Sequence, residues 1–328
     1  MLQQTNVTTV VPYFETFIRC FPDVQALAVA PLESVLVAWA GLGYYARARN
    51  LHACARMVAA LGGFPANYDG LLALPGIGPY TATAIAAIAF GIPGVPVDGN
   101  VERVTARVFA ITAGMPAAKP VLRQAATRLG RDPDARARPA DFAQALFDLG
   151  ATICTPTSPS CVLCPWQAHC EGQRLGIAGE LPRKVERQPR PVRYGAHFWL
   201  TDTSGHVLLR RRPMEGLLGG MSELPGTEWR AAPWGRQEAL ALAPMPAEWR
   251  EAGDIRHIFT HFELRLTVFA AMVSQIVAPG FVHPVAALDQ AALPSVMRKC
   301  VQTARAPLAC PDPRKAARSL NHRVRGRS

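Results

Sequence analysis

LPGIGPYTATAIAAIAF, residues 74–90, sets a tight glycine turn directly in front of an alanine-rich apolar stretch. Pro75, Gly76 and Gly78 leave main-chain N–H groups uncovered, and Pro79 suits the first position of a helix, whose positive end then lies at the same place. Such a turn can hold a phosphate through backbone donors alone. It can equally be a plain connection between two helices. It is not a dinucleotide fingerprint, because no strand precedes it and the third glycine is missing. Beyond the helix comes VPVDGNVERV, residues 95–104, where Asp98 stands before Gly99-Asn100 and a new helical pattern. Taken alone, Asp98 reads as an N-cap.

The helical period continues on both sides. Upstream, Val35, Leu36 and Trp39 form a face that breaks at Gly41-Leu42-Gly43, and Leu51, Cys54, Ala55, Val58 and Leu61 form another that ends at Gly62-Gly63. Downstream, helices are predicted near 100–110 (Val101, Val104, Val108), 120–129 and 141–153 (Phe142, Leu146, Leu149, Ile153). No strand pattern competes, so residues 1–172 read as all-α. At the front, Leu2, Val7 and Val10 share a helix face with no Ser, Thr, Asp or Asn cap before it. Pro12 then reads as a restart carried by Phe14, Phe17, Ile18 and Phe21. This opening resembles the back half of a helix.

Four of the eight cysteines fall in CTPTSPSCVLCPWQAHC, residues 154–170, with spacing C-x6-C-x2-C-x5-C. Cys154, Cys161, Cys164 and Cys170 can surround one metal centre, either tetrahedral zinc or a 4Fe–4S cluster. Zinc sites usually pair their ligands as two C-x-x-C knuckles, and a single knuckle flanked by lone cysteines suits the cluster better. The remaining cysteines are scattered and read as unligated thiols, and His169 as a surface residue, so a secreted disulfide framework is excluded.

Residues 173–193 are polar, basic and proline-bearing and read as a linker. After it the texture changes. HFWLTDTSGHVLLRR suggests a hairpin about Asp202–Gly205, and IFTHFELRLTV has period two, with Ile258, Phe262, Leu264, Leu266 and Val268 on one face. A small α+β domain is expected over 194–306, and a basic, disordered tail over 307–328.

The chain has 328 residues, 35 basic and 24 acidic, for a formal charge of +11, and nearly all its cations are arginine. That balance suits phosphate contacts, although a generally basic surface explains it equally well. No apolar run reaches membrane-spanning length and no signal-peptide pattern opens the chain, so a cytoplasmic, nucleoid-associated monomer without a membrane partner is expected.

Together MLQQTNVTTVVPYF, GLGYYARARNLH, LPGIGPYTA, VDGNVERV, DLGATICT, the four-cysteine loop and HIFTHFEL resemble the helix-hairpin-helix DNA glycosylases, specifically the adenine DNA glycosylases of MutY type. The resemblance implies removal of adenine mispaired with 8-oxoguanine or guanine in double-stranded DNA, the base being flipped into a pocket. It casts Asp98 as the carboxylate that stabilises an oxocarbenium-like sugar, directly or as a transient nucleophile, with Tyr80 supporting it and Asn100 orienting its surroundings. Gly76 and Gly78 would hold a phosphate, and Gln4 and Tyr45 would fill or wedge the base stack. Phe259, Thr260 and His261 would read the 8-oxoguanine strand, Thr260 replacing a frequent serine. The cysteines at 154, 161, 164 and 170 would hold a 4Fe–4S cluster.

Three departures qualify this picture. The endonuclease III branch carries a Schiff-base lysine where this chain has Tyr80, so a lyase is not expected. The second domain resembles a Nudix fold, yet no R-E-x-x-E-E run follows Pro225-Gly226 to collect metal, which suggests recognition and not nucleotide hydrolysis. Finally, the family's general-acid glutamate would lie two residues before Met1. The expectation is therefore an adenine glycosylase impaired as written; the alternatives are a non-catalytic mismatch-binding protein or a bare electron carrier, and the hairpin and Asp98 argue against the latter.

Overall fold

The computed structural model describes residues 1–2, 5–183, 185 and 189–306; Gln4 and the basic tail lie outside them. No helix among the described residues is long and apolar enough to cross a membrane. Packing divides the chain into two compact units, Asn50–Gln188 and the combination of Met1–Arg49 with the residues from Pro189 onward.

The N-terminal helices are α1 (Val7–Cys20), α2 (Val24–Val29), α3 (Leu32–Trp39) and α4 (Ala46–Leu61). The opening of α1 corrects the sequence reading. Asn6 is an N-cap whose side chain accepts from Thr9 N at 2.8 Å, and the helix runs on through Pro12 without restarting. The carbonyl that Pro12 leaves without a donor belongs to exposed Thr8, where water can satisfy it. Val11, Phe14 and Ile18 are exposed, whereas Val10 and Phe17 face the core.

From Asn50 on, the first unit is helical: α5 (Tyr68–Leu72), α6 (Pro79–Phe90), α7 (Gly99–Val108), α8 (Lys119–Leu129), α9 (Pro133–Ala137), α10 (Pro139–Asp148) and the short α11 (Glu171–Arg174). A π-turn, Leu149–Ile153, leads from α10 into the cysteine loop. Val101, Val104, Ala126, Leu146 and Leu149 form a core against which Ile153, Cys154, Cys164 and Trp166 pack. Residues 173–181, expected to begin the linker, are instead tied down: Leu181 joins Ala106, Ala118 and Leu122 in a second core. A side chain buried this way is worth about 1.5–3 kcal/mol, enough to overrule a polar composition.

The other unit carries a mixed sheet of β1 (Val192–Asp202), β2 (His206–Arg211), β3 (Ser222–Glu223), β4 (Arg250–Ile258), β5 (Glu263–Val273) and β6 (Phe281–Pro284). Its order is β3-β2-β1-β5-β4, with β6 on β2; β1 and β5 are parallel from Val192↔Glu263 to Asp202↔Val273. The short helix α12 (Arg236–Leu240) contributes Ala239 to a core with Phe198 and Phe269, and α13 (Ser295–Arg305) buries Val296, Met297, Cys300 and Val301. The hairpin at 202–205 forms as expected. IFTHFELRLTV does not form one strand. It folds into a turn closed by Phe259 N donating to Phe262 O at 2.9 Å, so Ile258 ends β4 and pairs with Glu263 at the start of β5.

Candidate functional site

Two sets of sequence-predicted residues come together, one in each unit. In the helical unit the turn between α5 and α6 takes the expected shape. Gly76 has φ +75, and a Cβ there would stand 2.5 Å from Asn50 Cβ, so the position requires glycine twice over. Gly76 and Gly78 are both exposed. α6 then starts at Pro79 and places Tyr80 in its first turn, its ring 6.1 Å from that of Phe147. Burial and then the charge of Asp98 push the Tyr80 pKa upward, so its phenol stays protonated near a carboxylate.

Asp98 is the N-cap of α7. Its Oδ1 accepts from Asn100 N and Val101 N, both at 2.8 Å, and Asn100 Nδ2 donates to Oδ2 at 3.3 Å. The carboxylate is thus held in one orientation at the positive end of a ten-residue helix. Asn100 is itself fixed from behind: Arg103 Nη2 donates to Asn100 Oδ1 at 2.9 Å and to Gly150 O, and Arg103 Nε donates to Cys154 O at 2.7 Å. Gly150 permits this approach, since a Cβ there would lie 2.6 Å from Asn100 Cβ. Burial lowers the Arg103 pKa, and the neighbouring Cys154 and Asp98 oppose that shift.

One turn along the helix, Arg107 is almost wholly buried and also faces the cysteine loop. It donates through Nε to Leu181 O at 3.0 Å, through Nη1 to Thr155 O at 2.8 Å and through Nη2 to Pro156 O at 3.2 Å, with Nη1 3.2 Å from Cys154 Sγ. Cys154, Cys161, Cys164 and Cys170 line one apolar pocket with Ile153 and Trp166. Burial, then the nearby Cys154 and Cys164, push the Cys161 thiol up, and burial does the same to Cys170. Among the described residues no cysteines are paired in a disulfide, and no three His, Cys, Asp or Glu side chains gather tightly enough for a single metal ion. His169 is exposed, as expected.

Sequence reading missed Arg103 and Arg107. The available signal was their i, i+4 spacing on the same helix as Val101, Val104 and Val108.

In the sheet-bearing unit, Phe259, Thr260 and His261 form the turn between β4 and β5. Phe259 packs at 4.9 Å from Phe262, 5.8 Å from Trp229 and 4.6 Å from His257, while Thr260 and His261 are exposed. Tyr45 needs correction. It is only 4% exposed, and its hydroxyl is enclosed within the unit, so it cannot enter a base stack as it stands. Tyr44 is the outward ring of the pair, 46% exposed, with φ +48. Its hydroxyl lies 3.2 Å from Thr260 Oγ1, and the Arg47 guanidinium sits 5.1 Å from its ring centre.

Residues 1–130 match the model of the HhH-GPD superfamily base excision DNA repair proteins, and residues 196–303 match a NUDIX domain. The adenine DNA glycosylase of Homo sapiens is 36% identical over 323 residues, covering 82% of this chain and 59% of the human protein. That of Mycolicibacterium smegmatis is 42% identical over 190 residues, covering 57% of this chain and 63% of its own. That of Schizosaccharomyces pombe is 30% identical over 329 residues, covering 84% of this chain and 71% of its own. The chain spans roughly half to two thirds of the length of the first of these curated relatives. With identity sustained across both units and a relative covered over most of its length, the chain belongs to the adenine DNA glycosylase family.

Proposed function

We propose that this protein excises adenine placed opposite 8-oxoguanine or guanine in double-stranded DNA by hydrolysing the N-glycosidic bond. The observation that carries this reading is the orientation of Asp98, pinned by two main-chain N–H groups and braced through Asn100 and Arg103. As the C1′–N9 bond breaks, its electron pair leaves with the base and positive charge develops at C1′. A fixed carboxylate offsets that charge, water adds to C1′, and the proton that water gives up ends on the departing adenine. Tyr80, protonated beside Asp98, is available as a hydrogen-bond donor to the carboxylate or the sugar. The Gly76–Gly78 turn and the start of α6 suit a backbone phosphate, and the Phe259–Thr260–His261 turn, with Tyr44 beside it, suits the opposite strand.

Cys154, Cys161, Cys164 and Cys170 would hold a 4Fe–4S cluster. A single ion bonded at about 2.3 Å needs its thiolates within about 4 Å of one another. Four thiols around a shared apolar pocket, without such a close gathering, suit a larger group. Four neighbouring thiolates repel one another, and a cationic iron–sulfur core held by them would supply the compensating charge and cross-link the loop.

Purified chain is expected to bind an 8-oxoguanine:adenine duplex in preference to 8-oxoguanine:cytosine, to release free adenine in single-turnover assays, and to contain iron and sulfide. Mispair binding with no adenine release at any enzyme excess would refute excision and leave a recognition protein.

A further inference from the structure

Several arginines of the sheet-bearing unit are committed to carboxylates. Arg210 and Arg212 hold the buried Glu223 at 2.6 and 2.5 Å, Arg256 and Arg265 hold Glu263 at 2.5 and 2.9 Å, Arg230 holds Glu238 at 2.6 Å, and Arg211 holds Glu33 at 2.6 Å. Arg190 and Arg193 are not, and both lie against the turn that bears Thr260. Arg190 Nε donates to the carbonyl of Thr260 at 3.2 Å, and the Arg193 guanidinium sits 4.7 Å from the centre of the Phe262 ring. Both side chains are exposed, and among the described residues neither has a carboxylate partner.

We propose that Arg190 and Arg193 form a phosphodiester clamp that grips the backbone of the strand read by Phe259–Thr260–His261. Each guanidinium is oriented by a contact that costs it little of its charge: one hydrogen bond to a neutral carbonyl in the first case, an aromatic face in the second. Most N–H donors of each stay available, and a planar fork of donors matches two phosphate oxygens. Because the contacts fall on residues 260 and 262, both cations lie at the turn, on the side of it that faces β1. A strand laid across Thr260 and His261 would then meet positive charge along that side. The acid next to the turn does not oppose this, since the charge of Glu263 is already offset by its ion pairs with Arg256 and Arg265, which hold its pKa down at about 2. This inference rests on the reading of the turn as a DNA contact.

The test is the salt dependence of duplex affinity for the full chain. Each phosphate contact releases about 0.9 of a counterion, so R190Q/R193Q should lower the slope of log affinity against log salt by about 2. With the affinity at about 1 M salt unchanged, that loss weakens binding about 60-fold at about 0.1 M. The weakening should be equal for 8-oxoguanine:adenine, guanine:adenine and undamaged duplexes. R190K/R193K keeps the charge and should keep the slope, which a purely structural role for the two side chains would not. The single Gln variants should each remove about half of the effect and are milder tests of folding. An unchanged slope in the Gln variants, with parental DNA binding intact, overturns the clamp. So does a loss confined to 8-oxoguanine duplexes, which would make the arginines base readers. If the parent itself shows no preference for 8-oxoguanine, the reading of the turn fails, and the slope still reports separately on the two cations.

Discussion

Replacing Asp98 by Asn changes the charge at the start of α7 while keeping its shape. The amide oxygen can still accept from Asn100 N and Val101 N, now at 2.8 Å from Oδ1, so the cap survives. Lost are the charge assistance of those bonds and the favourable placement of an anion at a helix N-terminus, together about 1–2 kcal/mol. Asn100 Nδ2, which donates to Oδ2 at 3.3 Å, must also turn away from a new donor. The melting temperature should fall by about 2–8 °C. The chemical cost is larger. A carboxylate about 3.5 Å from the cationic sugar carbon, at an effective dielectric constant of about 20, contributes about 5 kcal/mol. That corresponds to a rate loss of about three to four powers of ten. Single-turnover adenine release at saturating protein measures it, with duplex affinity and thermal melting followed in parallel. Affinity should hold or rise, because a negative charge facing a polyanion has been removed. If the Asn variant folds, binds the mispair and releases adenine within about tenfold of the parent, the electrostatic role assigned to Asp98 is wrong.

Arg103→Met keeps the apolar stem but leaves the carbonyls of Cys154 and Gly150 and the side-chain oxygen of Asn100 without their donor. At about 1–3 kcal/mol per orphaned buried acceptor, the helical unit should lose about 3 kcal/mol or more, read as a drop in urea midpoint. Adenine release should slow at unchanged duplex affinity, and a variant as stable and fast as the parent would show that Asn100 is held by something else. His197 predicts a pH dependence in the other unit. It is fully buried, its Nδ1 lies 2.9 Å from Leu224 O and its Nε2 accepts from Trp229 Nε1 at 3.3 Å, so its site fits only the neutral ring; burial lowers its pKa from 6.5. The unfolded chain therefore binds the extra proton first. Stability is complete above about pH 6.5 and falls as the pH drops below it. His197→Gln should flatten that limb in urea titrations at successive pH values, and a parental midpoint constant through this range would contradict the assignment.

Local chemistry was legible in the sequence where one short segment holds all the information. Asp98 caps the helix that follows it, the glycine turn precedes Pro79, and the cysteines lie within one loop, so spacing was enough. The misreadings share a physical origin in longer range. Ile258, Phe262 and Leu264 share one face at period two on either side of the turn at 259–262, which contains no Gly, Pro, Asn or Asp to mark it. Tyr44 and Tyr45 are chemically identical neighbours. Which one is buried depends on the left-handed backbone at Gly43 and Tyr44, φ +69 and +48, which turns the second ring inward. Propensity cannot supply that choice. Arg103 and Arg107 were hard to read for a related reason: apart from Asn100 and Gly99, their acceptors lie 47 to 74 residues away in sequence, and a cation on a helix ordinarily faces water.

Those two arginines tie the cysteine loop to the helix that carries Asp98. α7 is a single rigid element with Asp98 at its start and Arg103 and Arg107 along its inner side. The loop's carbonyls at 154, 155 and 156 are what those guanidinium groups bind. If the loop unravels, Arg103 loses the carbonyl of Cys154 and Arg107 those of Thr155 and Pro156, and each buried donor left without an acceptor costs about 1–3 kcal/mol. The helix cannot stay where it is at that cost; it must shift or the unit must open, and either movement displaces the carboxylate at its N-terminus. A group that cross-linked the four thiols would therefore constrain Asp98 through ordinary hydrogen bonds. The orientation of the carboxylate and the order of the loop are two ends of one mechanical unit.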